Sequence, residues 1–136
     1  MIYGVGTDLC DIRRMSAFFD RRGLQLAHKI LRPNEFSEFE TRQHQARTRA
    51  VQFLASRFAA KEALSKAMGQ GFRPPMSWQA CEILPDSNGK PILVLHDKLQ
   101  AWFAQRQLRA HISLTDEHNY ALAFVVIECQ STPQSD

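Results

Sequence analysis

Residues 56–69 read SRFAAKEALSKAMG, and the spacing of apolar residues from about Gln45 onward predicts one long helix reaching Met68. Gly69 and Gly71, with Pro74 and Pro75 beyond, supply its stop. Taking about 100° per residue and setting Val51 at 0°, Ala55 falls near 40° and Phe58 near 340°. Glu62 then falls at about 20° and Lys66 at about 60°, so both continue the apolar stripe. A carboxylate on a core-facing stripe is costly unless a cation or hydrogen bonds compensate it. An i,i+4 Glu–Lys pair on an exposed helix, worth a few tenths of a kcal/mol, explains the spacing but not the face.

Upstream, residues 2–10 alternate as a strand, with Val5, Thr7 and Leu9 on one face and Gly4, Gly6 and Asp8 on the other. Glycine weakens a strand, and two of them beside one carboxylate mark either a turn or the close approach of a backbone or ligand. Asp8, Glu62 and Lys66 together suit an incomplete oxygen-ligand site. Magnesium commonly takes one or two protein carboxylates and fills its shell with water and substrate phosphate.

The remaining pattern expects one or two short helices over 13–31 broken near Gly23, and another from Pro33 to about Thr41. Trp78–Leu84 alternates as a strand, and Asn88-Gly89 predicts a hairpin into Pro91–Leu95. An amphipathic helix over 96–107 precedes a C-terminal hairpin formed by His111–Thr115 and Tyr120–Ile127 around DEHN. The order, one strand, a block of helices, then strands with one helix, gives a small single α+β domain over 1–128. Its sheet should be mostly antiparallel and packed on the long helix. Residues 129–136 are expected to be a disordered tail.

With 136 residues and 44% hydrophobic content the chain suits one domain with a real core. No window approaches the apolar length of a membrane span, and the N-terminus lacks a signal-peptide layout. Cys10, Cys81 and Cys129 are widely spaced, which argues for reduced thiols and a cytoplasmic protein without disulfides or zinc. The net charge is +3, yet residues 11–32 hold six basic residues against two acidic ones. This basic segment fits an anionic partner or a solvated helix face. A nucleic-acid module would need basic and aromatic residues interleaved on a sheet face, and the expected strands lack that pattern.

Three stretches, GVGTDLCDIRRM, RFAAKEALSKAMGQGF and ISLTDEHNYALAFVVIE, occur in this order and span roughly residues 2–128. Together they closely resemble the holo-acyl-carrier-protein synthases, the small class of 4′-phosphopantetheinyl transferases. The resemblance implies magnesium-dependent transfer of phosphopantetheine from coenzyme A to a carrier-protein serine, in fatty acid biosynthesis or on a dedicated carrier such as a polyketide one. Matched by position, Asp8 and Glu62 are the metal carboxylates, and Lys66 lies against the coenzyme A phosphates with Glu62 as its catalytic partner. Arg57 belongs to the nucleotide end of coenzyme A, with Gly69, Gly71, Ser113 and Thr115 as further contacts. Arg14, Arg21 and Arg22 fall where the acidic helix of the carrier docks. The resemblance also implies a homotrimer with sites between subunits, so that Arg57, which the wheel turns away from Glu62, serves a neighbour's site. Many members have histidine where this chain has Asp116, and His118 two residues on is an ordinary turn histidine or a substitute.

Overall fold

The computed structural model describes residues 1–130. Strand β1 (Ile2–Asp11) leads into helices α1 (Ile12–Arg22), α2 (Leu24–Ile30), α3 (Pro33–Gln45) and α4 (Arg47–Met68). The hairpin β2 (Cys81–Pro85) and β3 (Pro91–Leu95), helix α5 (Asp97–Gln105) and the hairpin β4 (Leu108–Asp116) and β5 (Tyr120–Cys129) follow. All pairing is antiparallel, in a three-stranded sheet ordered β1-β5-β4 and a two-stranded sheet β2-β3.

Helix boundaries follow local chemistry. Asp11 caps α1 by accepting from the Arg13 amide, and Gly23, at positive φ, separates α1 from α2. Glu35 reaches back to the Arg32 amide at the start of α3. Gly69, left-handed, ends α4. Helix α3 runs four residues past Thr41, and α4 begins at Arg47 instead of Gln45. The strand expected from Trp78 begins only at Cys81, because the Trp78 carbonyl is engaged by a lysine and its ring by two phenylalanines. Strand β5 includes Cys129, one residue beyond the expected end of the domain, and residues 131–136 of the expected tail lie outside those described.

Helix α4 lies across the inner face of the three-stranded sheet, and the glycines of β1 make the contact possible. A methyl on Gly4 would collide with the Ala67 carbonyl oxygen, and one on Gly6 with that of Ala63. Their role is the approach of a helix backbone, not of a ligand. Alternation along β1 then turns Val5, Thr7 and Leu9 outward, while Cys10 is buried. Burial pushes the Cys10 thiol up to about 11 and the Cys81 thiol up to about 12, so both stay protonated at neutral pH.

Candidate active site

The face of α4 that carries Glu62 and Lys66 is not the core face that the wheel suggests. Val51 and Ala55 are buried, Phe58 and Glu62 are half-buried, and Lys66 is exposed. The stripe runs out of the core toward the C-terminal end of the helix. There it meets Asp8, which β1 points inward beyond Gly4 and Gly6. The Lys66 ammonium donates to Asp8 Oδ1 at 3.1 Å and to the Thr7 carbonyl at 3.0 Å. Partial burial, and secondarily the charge of Asp8, hold the Glu62 carboxyl above the usual carboxylate range, while Lys66 offsets part of this.

These two carboxylates fit a divalent cation. They repel one another on a partly desolvated surface, a condition that a bound cation relieves. Among the described residues no third histidine, cysteine or carboxylate joins them in a ligating group. A two-carboxylate donor set open to solvent matches magnesium, which keeps water and substrate oxygens in its shell.

A second cluster stands at the other edge of the sheet. Arg57 lies over the Phe53 ring, 4.2 Å from its centroid, with Arg42 over the same ring at 5.0 Å. Arg57 Nη1 donates to Ser56 Oγ at 3.1 Å, but its buried Nε has no partner. Burial lowers its pKa to about 10, so the guanidinium stays charged at neutral pH. With Thr115 and Asp116 at the end of β4, these side chains line a cavity of about 190 Å³. A half-buried guanidinium with one buried N–H unpaired suits an anionic group. Because β5 separates β1 from β4, this cavity and the Asp8–Glu62–Lys66 cluster occupy different sides of one chain.

The other expected residues are dispersed. Ser113 is exposed on the outer face of β4, opposite Phe124. Nothing lies within 4 Å of a side chain built on Gly69 or Gly71, so both act as backbone turns at positive φ. Arg14, Arg21 and Arg22 are exposed on α1, and Arg21 stacks on Phe18. Arg13, by contrast, is bound to Asp11, so only part of the basic segment is free. His118 lines a cavity of about 410 Å³ with Arg13, Ser16 and Arg47, which shares no lining residue with the Arg57 cavity.

The profile of the 4′-phosphopantetheinyl transferase superfamily matches residues 4–125. The chain belongs to this superfamily. The holo-[acyl-carrier-protein] synthase of Methylibium petroleiphilum is 53% identical, covering 97% of this chain and 100% of that one. Among crystal structures, the holo-[acyl-carrier-protein] synthase of Neisseria meningitidis superposes with a TM-score of 0.86 at 40% identity, covering 94% of this chain and 99% of that chain. A holo-(acyl-carrier-protein) synthase from Bacillus anthracis, solved in complex with CoA (3′,5′-ADP), superposes with a TM-score of 0.77 at 32% identity, covering 96% and 99%. The transferase fold is therefore shared along nearly the whole chain.

Two features of this superfamily member were not visible in the sequence alone. Arg42 joins Arg57 only because α3 runs beside α4, and no local spacing relates them. Lys61, next to Glu62, is fully buried against Glu35 of α3. Its position off the apolar stripe gave no signal of burial, and a buried lysine is rare.

Proposed function

We propose that this chain is a holo-[acyl-carrier-protein] synthase of the cytoplasm. It transfers the 4′-phosphopantetheine group of coenzyme A to a serine of an apo acyl carrier protein and releases adenosine 3′,5′-bisphosphate. The convergence of Asp8, Glu62 and Lys66, in a chain so close to a synthase of this name, carries the reading.

In the transfer the serine oxygen attacks the β-phosphorus of the coenzyme A pyrophosphate. The bond from that phosphorus to the bridging oxygen breaks, and the electron pair leaves with the adenosine bisphosphate. Negative charge spreads over the phosphoryl oxygens, so catalysis is positioning and electrostatics. Asp8 and Glu62 would hold magnesium, which when bound supplies positive charge to the pyrophosphate. Lys66, half-exposed and held by Asp8 and the Thr7 carbonyl, adds a cation that can turn to a phosphate oxygen. The serine proton passes to Glu62 or to a water beside it.

The Arg57 cavity binds the nucleotide end of coenzyme A, which carries an anionic 3′-phosphate. Since it lies across the sheet from Asp8, one coenzyme A spans two subunits of a homotrimer. The outer face of the sheet supports this, as Val5, Leu9, Leu122 and Phe124 are 52%, 61%, 41% and 41% exposed on it. A contiguous apolar patch of this kind marks an interface. Arg14, Arg21 and Arg22 then dock an acidic carrier. No helix among the described residues is long and apolar enough to cross a membrane.

Incubating the purified protein with coenzyme A, magnesium and apo carrier, then weighing the carrier, tests the reading. A gain of one phosphopantetheinyl group is expected. An unchanged carrier mass with freshly prepared apo protein overturns it.

A further inference from the structure

Helix α4 is buried on nearly every side, with Ala50, Leu54, Val51, Ala59, Ala63 and Ala60 pointing around its whole circumference. Such a helix has no amphipathic stripe to fix its rotation. Apolar contacts are non-directional and tolerate small turns about the axis. The glycines of β1 set how near α4 comes to the sheet at Ala63 and Ala67, and directional bonds elsewhere on the helix add a second reference for its azimuth.

One polar side chain breaks this uniformity. Lys61 is 0% exposed and its ammonium has three acceptors: the Ile30 carbonyl at 2.6 Å, Glu35 Oε1 at 2.8 Å and the Trp78 carbonyl at 2.8 Å. Glu35, 1% exposed, in turn accepts from the Arg32 amide at 2.9 Å and the Ile83 amide at 3.0 Å. The pair thus ties α4 to the end of α2, the start of α3, the segment before β2, and β2 itself. Trp78, held by its carbonyl, also stacks on Phe58, one turn before Glu62. Three directional hydrogen bonds from Lys61, one of them to a carboxylate itself held by two amides, restrict the azimuth, and Glu62 follows Lys61 by about 100° around the helix.

We propose that Glu35 and Lys61 are positioning residues that set the rotation of α4 and so aim Glu62 at Asp8. A carboxylate carbon stands about 6 Å from the helix axis, so a 20° slip would carry it about 2 Å. Displacements of about 1 Å in a catalytic constellation are enough for roughly hundredfold losses. Buried ionic groups are retained for conformational specificity in some systems, and register setting is the best-attested use. The proposal rests on the transferase reading for its kinetic arm only.

The test compares wild type with Glu35→Gln, which keeps shape and an acceptor while removing the charge. The double variant Glu35→Leu/Lys61→Met leaves no buried charge unpaired and serves where the single variant does not fold. Each is assayed well below its melting temperature. Binding of Mn²⁺ alone, read from its free-ion resonance, should weaken about tenfold. The turnover number at saturating coenzyme A and carrier should fall by a similar factor, with the KM for carrier within about twofold. Folded variants with wild-type Mn²⁺ affinity and turnover, merely melting earlier, overturn the proposal and leave the pair a purely structural one. If wild type transfers nothing, the transferase reading fails, and the Mn²⁺ comparison still decides whether the pair aims the carboxylates.

Discussion

Glu62 is placed where the fold works against its charge. Its carboxyl is held above the ordinary range by burial and by Asp8, so the folded state binds the proton more tightly than the unfolded chain. The sign follows from linkage: this group's contribution is most favourable below its unfolded pKa and is lost as pH rises through the raised folded value. At neutral pH without metal, Glu62 therefore weakens the fold. Glu62→Gln should melt higher than wild type in chelator while losing nearly all transfer activity, a stability–activity exchange of the kind functional sites show. Added magnesium should raise the melting temperature of wild type but barely move that of the variant. Calorimetric scans with and without metal check both statements, and a variant that melts lower in chelator contradicts the assignment. Asp8→Ala should likewise lose most activity while remaining folded.

The elements were legible to different degrees, and each difference has a physical cause. Helix α4 and its glycine stop follow from composition and local capping, and the Asn88-Gly89 turn from backbone sterics, so their positions stood in the sequence. Glu62 and Lys66 were identifiable as unusual, but the wheel assigned their stripe to the core. A single helix shows which residues share a face, not which face its neighbours cover, and α4 is covered on almost all of them. The Arg57 cavity was out of reach for the same reason, since it is assembled by α3, α4 and the end of β4. The glycines of β1 were open to two readings, a turn or the close approach of a backbone or ligand, and the structure identifies the approach of the α4 backbone. Gly6→Ala should therefore cost about 1–3 kcal/mol or more, since its new methyl meets backbone atoms, which have no side-chain rotamer with which to move aside. Denaturant midpoints measure this. A loss below a few tenths of a kcal/mol would mean that α4 can withdraw from the sheet freely.

At the scale of the whole molecule, the charge and the sheet edges determine what the chain meets. If exposed arginines of α1 steer an acidic carrier, they act mainly on encounter, which salt screens. Reversing Arg21 or Arg22 to glutamate should raise the KM for carrier several-fold and leave that for coenzyme A nearly unchanged. Added salt should reproduce part of the defect, whereas variants kinetically equal to wild type at low salt move the docking surface elsewhere. The separation of Asp8 from Arg57 across the three-stranded sheet leads to a sharper test. In a closed ring whose sites take Asp8 from one subunit and Arg57 from the next, Asp8→Ala and Arg57→Ala chains are each inactive alone but complementary. Co-expressed in equal amounts and mixed at random, about one site in four joins the intact Asp8 of one chain to the intact Arg57 of its neighbour. The mixture should recover roughly a quarter of wild-type activity per site, while the two proteins purified separately and kept from exchanging stay silent. Were each chain to build its own site, every subunit would carry one defect and co-expression would restore nothing.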